Sequence, residues 1–117
     1  MRWMKHLYIG DQAENRQKEL RQRIARGGRT LNAHVLMPAA NPQDQVDILP
    51  ARFLRQPYYR RQEDLIIVGL AGGKADAVQL LLRITDECVR RTGSGDLRQF
   101  LAERIREEGT EEIIWRY

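Results

Sequence analysis

Residues Leu65-Ile66-Ile67-Val68 set four consecutive large aliphatic side chains ahead of Gly69. Successive side chains of a strand point to opposite faces, so a run of this kind is buried on both sides, as at the centre of a parallel sheet. The rest of the chain must then supply an apolar layer for each face. Downstream, Ala71-Gly72-Gly73 makes a turn, and the spacing predicts a helix over 75–91 with Ala77, Leu81, Ile84 and Cys88 on one face and Val78, Leu82 and Val89 widening it. Gly93 reads as its C-cap. Asp96 with Gln99 three residues on opens a further helix through Leu97, Phe100, Leu101 and Ile105, which Gly109 closes.

Upstream, His6-Leu7-Tyr8-Ile9-Gly10 is a short apolar run that stops at glycine, a first strand. Polar residues dominate 13–26, where Ala13, Leu20 and Ile24 form a thin stripe on an exposed helix that ends at Gly27-Gly28. Leu31, Ala33, Val35 and Met37 alternate with Asn32 and His34, which predicts a second strand terminated by Pro38. Residues 111–117, rich in β-branched and aromatic side chains, are a last strand or a docking tail through Trp115 and Tyr117. The order predicts an α/β fold in one domain over 1–117: a small layered sandwich with a mostly parallel sheet of about four strands and three flanking helices. That is a Rossmann-like or flavodoxin-like miniature.

All four prolines lie at 38, 42, 50 and 57. The segment 38–62 therefore reads as a long Pro/Arg-rich loop inserted in the domain, with at most a short strand over 46–49. Loops of that length in small domains carry function or partner contacts.

Composition narrows the classes. Apolar residues make up 42% and charged residues 31% of 117 positions, which suits a folded domain rather than a disordered one. No apolar stretch approaches the ~20 residues of a membrane span, and the N-terminus lacks a signal-peptide pattern, so the expected setting is cytoplasmic. Cys88 is the only cysteine, which rules out an internal disulfide and a multi-cysteine zinc site. His6 and His34 stand in separate strands without a second ligand at helical spacing, so neither a metal nor a cofactor is assigned. The formal charge of +4 permits a polyanionic partner without requiring one.

Two constellations remain. Gly69-Leu70-Ala71-Gly72-Gly73-Lys74 is a glycine-rich strand-to-helix turn whose amides and lysine can cradle a phosphate, with Asp11 converging from the end of the first strand. It matches neither the Walker A spacing nor the dinucleotide fingerprint. Its simpler assignment is a turn needing positive φ, with Gly73 near the N-cap, Asp76 complementing the helix dipole and Asp11 capping the first helix. The second is Arg52, Phe53, Arg55, Tyr58, Tyr59, Arg60 and Arg61, a basic-aromatic segment without an acid. Residues of these types supply protein interfaces, and they also bind single-stranded nucleic acid.

Ser94 lies outside any nucleophile elbow, and no residue pattern assigns a reaction. The leading expectation is an interaction or regulatory module that self-associates as a dimer through 38–62. The alternatives are a protein that binds a nucleotide or other phosphate-containing small molecule at Gly69–Lys74, and an RNA or single-stranded DNA binder at Arg52–Arg61.

Overall fold

A computed structural model describes residues 1–116. Its strands are β1 (Arg2–Ile9), β2 (His34–Pro38), β3 (Val46–Pro50), β4 (Ile66–Ala71) and β5 (Thr110–Glu112), and its helices α1 (Gln17–Arg26), α2 (Pro57–Arg60), α3 (Lys74–Thr92) and α4 (Leu97–Glu108). Short 3₁₀ turns over Glu14–Arg16 and Ala51–Arg55 precede α1 and α2.

The aliphatic run becomes β4, the middle strand of a sheet ordered β3-β2-β4-β1-β5. Its two faces feed two separate apolar layers. Ile67 and Leu70 join Trp3, Val35, Leu54 and the α1 residues Leu20 and Ile24. On the other face, Val68 joins Met4, Leu36, Leu101 and the α3 residues Leu80 and Ile84. One strand thus glues both layers, each fully buried large aliphatic residue contributing roughly 1.5–3 kcal/mol by transfer from water.

The pairing pattern corrects the expected sheet. β4 pairs in parallel with β1 alone, while β2–β4, β2–β3 and β1–β5 are antiparallel. Five strands and four helices form a mixed, mostly antiparallel α/β fold rather than a mostly parallel four-stranded Rossmann-like one. The alternation of strand and helix does not force parallel crossovers here. After α1, residues 27–33 carry the chain back so that β2 enters the sheet against the direction of β4, and β2 then turns directly into β3.

The Pro/Arg-rich segment is mostly ordered as secondary structure. Residues 39–45 turn the β2–β3 hairpin, and buried Ala51 and Leu54 pin the 3₁₀ turn to the α1 layer. Arg98 of α4 holds the hairpin turn through one Nη1, which donates to the carbonyls of Ala39, Asp44 and Asn41 at 2.8, 2.9 and 3.2 Å. The side-chain oxygen of Gln45 accepts from the Leu97 amide at 2.6 Å.

Helix ends follow the sequence closely. Gly27 and Gly93 adopt positive φ as C-caps, and the Asp96 carboxylate accepts from the Gln99 amide at 3.1 Å. The inner face of α3 differs from expectation: Ala77, Leu80, Ile84 and Cys88 are buried, whereas Val78, Leu82 and Val89 are 42%, 56% and 47% exposed. The last strand is only three residues long, Trp115 is half-buried beyond it, and Tyr117 lies outside the described residues. Among the described residues no helix is long and apolar enough to cross a membrane.

Replacing Arg98 by Met removes the charged donor from three carbonyls. The expected loss is about 1.5–3 kcal/mol of stability in urea unfolding, with faster amide exchange at the hairpin turn and unchanged exchange in β4.

Candidate functional site

β1 and β4 are adjacent and parallel, and the chain leaves them in opposite directions. From β1 it passes to α1 on one face, and from β4 to α3 on the other. The divergence opens a cleft of about 280 Å³ at the carboxyl ends of the two strands, lined chiefly by Gly10, Asp11, Gln12, Asp76, Gln79 and Arg83.

Asp76 builds its wall. It is 7% exposed, and its carboxylate accepts from the Gly72 amide at 2.8 Å and the Gln12 amide at 3.2 Å. A buried carboxylate is tolerated when it is hydrogen-bonded in this way. The bonds tie the turn after β1 to the turn after β4. Glycine is required there for space: a Cβ on Gly10 would stand 2.3 Å from an Asp76 oxygen, and one on Gly72 would stand 2.7 Å from Gln12 Cβ. The expected positive φ is absent from this turn, since the positive-φ glycines are Gly27, Gly93 and Gly109. Gly73 is the extended N-cap of α3. Gly69 lies within β4, two residues before its end, and faces Leu36 and Leu80.

Asp11 does not cap α1, whose start has no side-chain cap. It is exposed at the cleft rim, with an oxygen 3.4 Å from Arg83 Nη1, and Arg83 Nη2 donates to the Ile9 carbonyl at 2.5 Å. The ion pair is solvent-exposed, so it orients the two groups more than it stabilises the fold. Lys74 is exposed at the first position of α3. The amides of Lys74, Ala75 and Asp76 precede the first intrahelical bond, from Ala77 N–H to Gly73 C=O at 2.9 Å, and so have no acceptor within the helix.

Beyond Arg83 lies a second polar group. A register shift between Trp3 and Tyr8 makes β1 irregular, and Tyr8 packs partly buried under α3 and α4. Burial, then the neighbouring Glu87 carboxylate, pushes the Tyr8 hydroxyl up to about 12. Arg104 lies over its ring and pairs with Glu108 at 3.1 Å. Glu108 also pairs with His6, and that contact leads in holding its carboxyl below the usual range.

The structure separates the basic-aromatic segment into inward and outward parts. Tyr59 packs against the α1 layer, and Arg60 lines a shallow cleft with Met1, Glu63 and Trp115. Phe53 and Tyr58 are exposed, Arg52 lies over the Phe53 ring at 5.1 Å, and Tyr58 meets Tyr59 edge-on at 5.0 Å. Arg55 and Arg61 project to solvent. Cys88 is buried in the α3 layer, and His34 Nδ1 contacts the Asn32 carbonyl at 2.6 Å. Among the described residues no three His, Cys, Asp or Glu side chains are placed to hold a metal.

Gln12, Gln79 and Arg83 join the cleft without a sequence motif. The only signal was spacing: Asp76, Gln79 and Arg83 fall at i, i+3 and i+7, one flank of a helix that starts at a glycine turn. Comparison with protein-family models, with curated proteins and with solved structures found no match to this chain.

Two outcomes test this geometry. Asp76→Ala leaves the Gly72 and Gln12 amides without their acceptor and should lower stability by about 1–3 kcal/mol in urea unfolding. For Tyr8, the folded-state value lies above the ordinary 10, so its contribution to stability is complete below pH 10 and declines as pH rises towards 12. An ultraviolet phenolate titration should show a component near 12 that Tyr8→Phe removes.

Proposed function

We propose that this domain binds a phosphate-containing small molecule, of nucleotide size or smaller, in the cleft between the ends of β1 and β4. The observation that carries the reading is the divergence of the two connections to opposite faces. In open α/β sheets ligands collect at such switch points, because the loops part there and leave backbone groups and side chains converging on one crevice.

The chemistry of the lining suits a ligand with both an anionic group and hydroxyl or amine donors. Arg83 and the open amides at the start of the 19-residue α3 favour the anion, while Lys74 stands at the same helix start outside the lining. Asp11 accepts from hydroxyls or amines, and Gln12 and Gln79 can both donate and accept. Asp76 is already engaged with two amides, so it shapes the crevice and leaves Gly72 unavailable to a phosphate. Of the two carboxylates in the lining, Asp76 is engaged by two amides and Asp11 by Arg83, so the reading is binding.

Thermal-shift titrations with inorganic phosphate, ribose 5-phosphate and adenosine monophosphate test it. Binding to the folded state should raise Tm with ligand concentration. Gln79→Ala and Arg83→Ala should each weaken the effect by about tenfold or more, equivalent to ~1.4 kcal/mol. Asp11→Asn should weaken binding of the two organic phosphates while sparing inorganic phosphate. No shift with any ligand at millimolar concentration, or shifts indifferent to all three substitutions, would remove the cleft as a phosphate-ligand site.

A further inference from the structure

The formal charge of +4 is not spread evenly over the fold. Residues 14–29, from the first 3₁₀ turn to the exit of α1, carry Arg16, Lys18, Arg21, Arg23, Arg26 and Arg29 against Glu14 and Glu19. Residues 51–61, from the second 3₁₀ turn to the end of α2, carry four arginines and no acid. Together the two segments have a net charge of +8, which leaves −4 on the rest of the chain. They cover the same face of the sheet. Leu20, Ile24, Ala51 and Leu54 are buried in one apolar layer, Tyr59 packs against it, and α1 touches the second 3₁₀ turn. Their exposed sides therefore belong to one outer surface.

The opposite face neutralises its own cations. Arg83, Arg90, Arg91 and Arg104 of α3 and α4 each pair with a carboxylate at 3.0–3.4 Å, and Arg98 is spent on the hairpin carbonyls. Of the cations on α1, Arg23 alone has an acidic partner, Glu19 at 2.9 Å. Its Nη1 also donates to the Arg29 carbonyl at 3.1 Å, which holds the turn carrying Arg29 against the end of the helix. Arg26, Arg29, Arg52 and Arg55 are exposed, and none of them forms an ion pair among the described residues. Glu111 and Glu112 share a cleft with Arg21 and Arg26, so acids close the basic surface on the β5 side. Concentrated cations without internal partners attract a polyanion, whose condensed counterions are released on contact.

Aromatic rings narrow the kind of polyanion. Tyr58 is 58% exposed and meets Tyr59 at an interplanar angle of 88°, so the ring anchored in the layer covers at most one face of Tyr58. Phe53 is 37% exposed, with the Arg52 guanidinium over its ring. Open rings among guanidiniums stack on unpaired bases while the arginines take the neighbouring phosphates. Bases inside a duplex are already stacked on both sides. All four cations of residues 51–61 are arginine, whose planar fork pairs with phosphate oxygens and also stacks, whereas attraction to an anionic bilayer needs only charge.

We infer that this surface binds single-stranded nucleic acid, with phosphates held by Arg26 and Arg29 from the end of α1 and by Arg52 and Arg55 from the second 3₁₀ turn, and a base stacked on Tyr58. The fold supplies what neither segment has alone: α1 brings cations without an aromatic ring, and residues 51–61 bring the rings. The surface shares no lining residue with the cleft between β1 and β4, so the two sites stand or fall separately.

Fluorescence anisotropy of the full chain with labelled oligouridylate and oligothymidylate of roughly twelve nucleotides tests the inference, a length within the ~4–16-nucleotide sites of single-strand binders. Both should bind at about 50 mM salt, and neutralising four phosphates should make affinity fall about 50-fold by about 200 mM. Arg26→Gln with Arg29→Gln should weaken binding by about tenfold and halve the salt slope, as should Arg52→Gln with Arg55→Gln. Tyr58→Ser should weaken it roughly fivefold or more without changing the slope. Arg83→Ala, in the cleft, should leave it unchanged. The substituted arginines and Tyr58 are exposed, so circular dichroism of their variants should match the parent. Absence of binding at low salt overturns the inference, and so does binding that the α1 pair of substitutions leaves intact. Equal affinity for a duplex of the same length overturns the single-strand assignment. Binding to phosphatidylserine vesicles but to neither oligonucleotide would assign the surface to a bilayer instead.

Discussion

The Asp76 carboxylate is the constraint on which the cleft depends. A carboxylate this buried needs hydrogen-bond donors, and its two come from different turns, Gly72 after β4 and Gln12 after β1. The chain can satisfy it only by bringing those turns together, which holds the two parallel strand ends side by side. Gly10 and Gly72 are the spatial consequence, since a side chain at either position would occupy the volume taken by Asp76 or Gln12. An acid, two amides and two glycines thus act as one unit, and the connections that part from it leave the crevice open.

Much of the local structure was legible in the sequence because its determinants are local. The aliphatic run at 65–68 predicted two buried faces, and β4 has them. Gly27, Gly93 and Asp96 mark helix ends by backbone freedom and side-chain acceptors, which need no distant partner. The sheet was less legible. Strand direction is set by the path of the 27–33 connection and by the preference of β2 for β3, and neither leaves a periodic trace. The same applies to the cleft: Asp11 lines it and was visible from its place at a strand end, Lys74 stands outside the lining, and Asp76 acquires its role only when Gln12, 64 positions away, arrives beside it.

The 38–62 segment shows how prolines can mislead. Their density reads as loop because proline cannot donate to a ladder. In an edge strand only alternate residues bond inward, so Pro50 costs nothing on the side facing β2, and Pro38 merely ends the inner strand. Two buried small or aliphatic residues, Ala51 and Leu54, then carry the chain across the α1 layer to β4. The fold accommodates four prolines by giving each a position where its missing donor is not required by the sheet.

Helix α3 explains why apolar periodicity alone overstated burial. Its apolar positions form two stripes, Ala77-Leu80-Ile84-Cys88 facing the sheet and Val78-Leu82-Val89 on the face turned away from it. A flat sheet face covers roughly one stripe of a helix, and α4 fills the layer on the side of β1 rather than the side of β3. The second stripe is therefore left over by geometry, not by composition. The polar flank of the same helix, from Asp76 through Arg83 to Glu87, is spent on the cleft and on Tyr8. A single helix of 19 residues consequently divides its circumference among the core, the cleft and an outward apolar stripe.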